Sequence, residues 1–241
     1  MRIAVLSDIH GNLTAFEAVA ADLERLSPDV VFHGGDLADS GSSPVEIVDH
    51  IRALGWQGVM GNTDEMLFHP ESLEEFVGQS AAPDEIWTLV REIAAATRSA
   101  LGEERIAWLS QLPRIQVCSP LALVHATPES CWRAPATDAT EAEIEAIYGS
   151  LGEPFIVFGH THRPSLRSIH SLGMTLINSG SVGLSYDGDP RASYLLLDGG
   201  KPSIRRVEYD VAREVKALKS SGIPGAEWTA KMILTASPQM P

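Results

Sequence analysis

A chain of 241 residues, 44% hydrophobic and 21% charged, can bury a sizeable core. That mixture excludes a disordered tail protein or a fibrous repeat. Eighteen Lys and Arg stand against 32 Asp and Glu, a formal charge of −14. Such a surface repels phosphate backbones and anionic membranes, which argues against sequence-independent binding to either. An anionic substrate would need a local positive charge, and bound metal cations are the obvious source. No apolar run reaches the ~18 residues of a spanning helix. Met1–Leu6 is too short for a signal-peptide core. A cytoplasmic protein is therefore expected, with Cys118 and Cys131 as free thiols.

In chain order, Arg2–Ser7 reads as a buried strand. Leu13, Phe16, Ala20, Leu23 and Leu26 recur at helical spacing, and Ser27-Pro28 ends that helix. Val30–Phe32 is the next strand. Ser43-Pro44 opens a helix carrying Val45, Val48 and Ile51 on one face, and Gln57–Met60 is a third strand. Strand, helix, strand, helix, strand means two right-handed crossovers and a parallel sheet. Residues 64 to about 112 read as helical throughout, an acidic insertion whose carboxylates form a solvated face. Strands are expected at Ile115–Val117 and Leu121–Val124, a helix at Glu141–Tyr148 and a strand at Phe155–Phe158. Short strands follow at Leu166–Ile169, Met174–Ile177, Tyr194–Leu197 and Ile204–Val207. A helix over Val211–Lys219 precedes a polar tail. With no repeat or linker, residues 1–241 are expected to form a single domain.

The polar residues follow the strand ends. Strand one runs into Asp8-Ile9-His10, strand two into Gly34-Gly35-Asp36, strand three into Gly61-Asn62-Thr63-Asp64. Asp8 to Asp36 is 28 residues and Asp36 to Asn62 is 26, each about one strand–helix–strand unit. All three should stand at the carboxyl edge of one parallel sheet, where open α/β sheets place their sites. His125 and Gly159-His160-Thr161-His162 end later strands. Two carboxylates, one amide oxygen and four imidazoles form an oxygen-plus-nitrogen donor set suited to Mn²⁺, Fe or Zn²⁺. Seven ligands exceed what one metal with an open position needs. Two metals sharing a carboxylate fit better.

Asp8-x-His10, Gly35-Asp36, Gly61-Asn62, His125 and Gly159-His160-x-His162, in this order, resemble the five motifs of the calcineurin-like metallophosphoesterases. Ser7–Asn12 and Asn178–Gly183 are similar to segments of the family's small bacterial phosphodiesterases. The resemblance covers residues 1 to about 210. It implies an α/β four-layer sandwich, two sheets flanked by helices, with the helical insertion at about 65–112. It further implies one metal on Asp8, His10 and His162, a second on Asn62, His125 and His160, and Asp36 bridging. Mn²⁺ is the foremost metal, with Fe, Zn²⁺ or Ni²⁺ as alternatives.

The expected activity is hydrolysis of small-molecule phosphoesters, a phosphodiesterase above all. The metals would polarise phosphoryl oxygens and activate a water for in-line attack, with Asp36 and Asn62 also positioning phosphate. Two departures stand out. Thr63 occupies the position where many members carry a His credited with protonating the leaving group, and Ala126 follows His125 where Gly is common. Thr63 and Asn12 are candidate substrate contacts, Asn12 alternatively capping the first helix. Asp39 and Asp64 are expected to orient ligands or cap helices. His33 is read as structural, with an auxiliary acid as the other option, and His50, His69 and His170 as surface residues. Two rival functions remain open: a protein-interaction scaffold on the same fold, or a phosphoprotein phosphatase. The oligomeric state is not legible.

Overall fold

A computed structural model describes all of residues 1–241. In the first half, β1 (Arg2–Leu6), α1 (Leu13–Leu26), β2 (Val30–His33), α2 (Pro44–Leu54) and β3 (Gln57–Gly58) form the two crossovers. The helices α3 (Asn62–Phe68), α4 (Glu71–Val77) and α5 (Asp84–Leu109) follow. Next come β4 (Ile115–Cys118), β5 (Leu121–Val124), α6 (Glu141–Tyr148) and β6 (Phe155–Phe158). The chain closes with β7 (Ser165–Ile169), β8 (Met174–Asn178), β9 (Ala192–Asp198), β10 (Lys201–Val207), α7 (Val211–Ser221) and α8 (Ala226–Thr235).

Two five-stranded mixed sheets result, ordered β10-β9-β1-β2-β3 and β4-β5-β6-β8-β7. In the first, β1, β2 and β3 run parallel while β9 and β10 join antiparallel. In the second, β5, β6 and β8 run parallel, with β4 and β7 antiparallel at the edges. Alternation along each strand sorts side chains into layers. Ile3 and Val5 of β1 meet Leu123, Val157 and Ile177 of the other sheet, forming the core between sheets. Ala4 and Leu6 face outward onto Phe16, Val19, Ile47 and Ile51 of α1 and α2. Ala122, Ile156 and Leu176 face outward on the second sheet onto Ile144 and Tyr148 of α6. Helix, sheet, sheet, helix is the four-layer sandwich. Strands buried on both faces explain why β1 and β5 read as continuous apolar runs.

Several elements differ from expectation. The third strand is two residues long because Met60 N turns to Pro113 O instead of continuing along β2. That early exit carries the chain toward Asn62. The stretch read as continuous helix is three helices, separated around Pro70 and Pro83, and α5 breaks at Gly102 (φ 68°). Its carboxylates, from Glu71 to Glu104, are exposed as expected. The tail read as merely polar contains α8, which buries Ala230, Met232 and Ile233 against Leu184 and Leu218. Both cysteines are unpaired. No helix is long and apolar enough to cross a membrane.

Candidate metal centre

The strand ends of both sheets meet at one edge. Asp8 follows β1, Asp36 follows β2, Asn62 begins α3, His125 follows β5, and His160 and His162 follow β6. The backbone turns sharply to achieve this. Asp8, His10, Asp36, His160 and His162 all have φ between 50° and 63°, five of the chain's eight non-glycine residues in that left-handed region. Such conformations cost of order 1–3 kcal/mol each and cluster at functional sites. Glycine permits the closest approaches. A Cβ on Gly61 would collide with Asp36 Oδ1, and one on Gly159 with Ser7 and the Asp8 carboxylate.

Donor atoms of Asp8, His10, Asp36 and His162 lie within 4.8 Å of one another. His10 Nε2 and His162 Nε2 are 3.3 Å apart, and His162 Nε2 is 3.2 Å from Asp8 Oδ1. A second group lies beside the first: Asn62 Oδ1 sits 3.0 Å from His125 Nε2 and 2.9 Å from His160 Nδ1. Asp36 stands between the groups. Its Oδ2 is 3.6 Å from His10 Nε2 and 3.5 Å from His125 Nε2. Every one of the seven expected ligands is therefore at this edge.

The donor chemistry fits metal ions. His10 Nδ1 donates to Asp39 O (3.1 Å), His125 Nδ1 to Gly34 O (2.7 Å) and His162 Nδ1 to Leu184 O (2.5 Å). A carbonyl oxygen only accepts, so each Nδ1 carries the proton and, in the neutral ring, each Nε2 turns a lone pair inward. Lone pairs of His10 and His162 then face each other, and that of His125 faces an amide oxygen. The carboxylates of Asp8 and Asp36, 0% and 2% exposed, face the same point. Such a buried gathering of acceptors suits bound cations.

The charges of the cluster are coupled. Burial opposes the Asp8 carboxylate, but His162, His125 and His10 hold its pKa well below the ordinary value. Burial also opposes charge on His162, yet Asp8 raises its pKa. Burial, aided by His125, pushes His160 down to about 4.

A second layer fixes these side chains. Asp64 accepts from Asp36 N (2.8 Å), Leu37 N (3.0 Å) and Gly61 N (3.0 Å), so it orients the loops as expected. Asp39 contributes its carbonyl to His10, while burial raises its own carboxyl to about 7. Tyr186 stacks on the His162 ring, centroids 4.4 Å apart and 14° from parallel. Ser181 Oγ donates to Asp8 O (2.7 Å), and Asn178 Nδ2 to Gly159 O (2.6 Å), lacing the ends of β1 and β6 together. Sequence reasoning left Tyr186 out. The Asn178–Gly183 segment carried the only advance signal for the other two.

Two residues read with alternatives take structural positions. Asn12 caps α1: its Oδ1 accepts from Ala15 N (2.9 Å) and its Nδ2 donates to Gly183 O (2.9 Å), with the residue 1% exposed. His33 is fully buried with neither ring nitrogen bonded and lies outside the cavity, away from any reacting group. Thr63 does line the cavity; its N–H donates to Asp36 Oδ1 (2.9 Å) and its hydroxyl has no partner. His50, His69 and His170 are exposed.

Above the ligands opens a cavity of about 210 Å³. Its floor is His10, Asp36, Asn62, His160 and His162, and its walls come from α4, α5, α8 and the loop carrying Trp132.

A strand-edge cluster on a four-layer sandwich defines a class, and a family model agrees. The model described as the calcineurin-like phosphoesterase superfamily domain matches residues 1–201, and the chain belongs to that family. An uncharacterised protein of Methanocaldococcus jannaschii is 31% identical over 252 aligned positions, covering 96% of each chain. The symmetrical bis(5'-nucleosyl)-tetraphosphatase of Cronobacter sakazakii is 25% identical over 162 positions, 65% of this chain and 54% of that one. Among solved structures, a metallophosphoesterase from Sphaerobacter thermophilus superposes with a TM-score of 0.80 at 26% identity, covering 98% and 99% of the two chains. A hypothetical protein from Pyrococcus horikoshii reaches 0.83 at 19% identity, covering 99% of both, a likeness of fold alone.

Proposed function

We propose that this chain is a two-metal phosphoesterase, a phosphodiesterase acting on small molecules. One observation carries the reading: a single Asp36 oxygen lies 3.5–3.6 Å from imidazoles of two adjoining ligand groups, on the floor of an open cavity. Asp8, His10 and His162 would hold one ion, Asn62, His125 and His160 the other, with Asp36 shared. Bound metals supply Lewis acidity toward phosphoryl oxygens and lower the pKa of a coordinated water. Mn²⁺ heads the candidates, then Fe, Zn²⁺ and Ni²⁺.

The protein's own residues do the positioning. The carbonyl-anchored imidazoles and the Asp64 network keep the donors in place without reorganisation. Asn62 and Asp36 border the space where a phosphate would sit, and the Thr63 hydroxyl is free to donate to a phosphoryl oxygen. No thiol nucleophile competes: burial pushes the Cys131 thiol up, and it donates to Glu65. Relatives named as tetraphosphatases support a small phosphoester substrate. The unpaired cysteines suit a reducing, cytoplasmic setting.

The test is reconstitution of metal-free protein with Mn²⁺, Fe²⁺, Ni²⁺ or Zn²⁺, followed by a screen of phosphodiesters, phosphomonoesters and phosphopeptides. Metal-dependent release from diesters is expected. Preference for phosphopeptides would indicate a protein phosphatase, and no hydrolysis with any metal would leave a binding scaffold.

A further inference from the structure

We propose that the cavity above the ligand cluster recognises an uncharged aromatic or bulky apolar ester group on a substrate carrying a single phosphate. The proposal rests on the phosphoesterase reading and adds the class of substrate.

Four half-buried aromatic side chains from four separate segments converge on the walls: Phe76 of α4, Trp87 of α5, Trp132 of the loop after β5, and Trp228 of α8. Phe76 stands between two of the others. Its ring lies 5.8 Å from Trp87 at 80° and 5.2 Å from Trp132 at 33°. Trp132 is pinned, its Nε1 donating to the buried Glu65 carboxylate at 2.6 Å. The same carboxylate group takes Arg114 at 2.6 Å, which balances its charge. Trp87 Nε1 is buried without a partner in the protein. Rigid aromatic walls beside a polar floor suit a ligand that is apolar at one end and anionic at the other.

Charge sharpens the class. No Lys or Arg lines the cavity, while Asp36 and Asp39 do. Arg133, over the Phe76 ring at 5.3 Å, bonds Gln79 and faces a neighbouring polar groove. Bound metal ions would compensate one phosphate on the floor. Further phosphates along a polyphosphate chain would meet apolar walls without a cation, an uncompensated burial of charge. Size agrees: about 210 Å³ exceeds the ~150 Å³ that admits a benzene ring but falls below the ~300 Å³ at which sites for larger ligands begin.

The experiment compares 4-nitrophenyl phenyl phosphate with 4-nitrophenyl methyl phosphate on metal-loaded protein. Both release the same nitrophenol, and each rate is divided by its alkaline hydrolysis rate. The phenyl ester is expected to win in kcat/KM by roughly tenfold or more, and to outrun diadenosine tetraphosphate by a similar factor. Phe76→Ala and Trp228→Ala should each shrink the phenyl preference, with circular dichroism confirming the fold. Trp87→Leu is the milder substitute if either fails to fold. A phenyl-to-methyl ratio near one in the parent, an unchanged ratio in folded variants, or faster cleavage of the tetraphosphate would overturn the proposal. Calorimetry with phenylphosphonate and methylphosphonate separates it from the phosphoesterase reading. Tighter phenylphosphonate binding without hydrolysis of any ester would sustain the recognition site while removing the activity. Hydrolysis with equal binding would do the reverse.

Discussion

Thr63 is tied to Asp36 through its backbone and not its side chain: the Thr63 N–H donates to Asp36 Oδ1 at 2.9 Å while the hydroxyl is buried without a partner. The backbone bond survives any substitution at 63 except proline. Only a single hydroxyl donor is at stake in the side chain.

Thr63→Ala should therefore lose less than about tenfold in kcat/KM, the worth of one hydrogen bond. A threonine hydroxyl does not protonate a leaving group near neutral pH, and a positioned acid typically contributes about 10²–10⁴-fold. Rates across a series of aryl and alkyl diesters should fall steeply as leaving-group pKa rises. A shallow dependence would reveal another proton donor. His33, buried outside the cavity, is not positioned to be that donor.

Asp64→Ala strands three buried N–H groups, those of Asp36, Leu37 and Gly61. Each orphaned donor costs about 1–3 kcal/mol. Urea unfolding should show a loss of about 3 kcal/mol or more, with weaker metal retention in what stays folded. A loss under about 1 kcal/mol would mean that these loops hold without the carboxylate.

Asp22 links the helical layer to the first sheet, accepting from Tyr194 Oη (2.6 Å), Arg25 Nη2 (2.8 Å) and Arg205 Nη2 (3.2 Å). Burial alone would raise its pKa, but these three donors bring it below the ordinary carboxylate value. A depressed carboxylate stabilises the fold above its unfolded pKa of about 3.9 and loses that contribution as pH falls through the folded value. Asp22→Asn should be less stable than the parent at pH 7, with the gap closing below about pH 4. An unchanging gap in denaturation midpoints from pH 7 to pH 3 would contradict this.

Asp36→Asn keeps the shape of the side chain and removes the anion between the two groups. Hydrolysis should vanish, with metal content well below two per chain in a folded protein. Retained activity at normal occupancy would sink the shared-ligand assignment.

Much of this was legible in advance because the strands are short, apolar and end on chemistry. Leu13–Leu26 emerged with its bounds because Asn12 and Ser27-Pro28 punctuate it, and α6 because Thr140 and Glu143 cap it reciprocally. The gathering of the seven candidate side chains was legible because each sits at a strand end, where periodicity stops and glycine appears. What stayed hidden depends on tertiary contact. The shortening of β3 follows from Pro113, 53 residues along the chain from Met60. Helix α8 is ten residues between Gly225 and a Pro-containing end, and it is stabilised by Leu184 and Leu218 and not by its own pattern. The acidic face of the insertion was read correctly as solvated. Its other face, with Phe76, Trp87 and Ile93, proved to be a wall of the site, which no local pattern distinguishes from ordinary core.

Metal titration of chelator-treated protein tests the two-metal centre most directly, with bound metal and hydrolysis of an activated diester followed together. Activity should rise to a plateau at two equivalents per chain, while His160→Ala and His162→Ala should each saturate near one equivalent and stay nearly inactive. A plateau at one equivalent in the parent, or full activity with no metal bound, would contradict the two-metal centre.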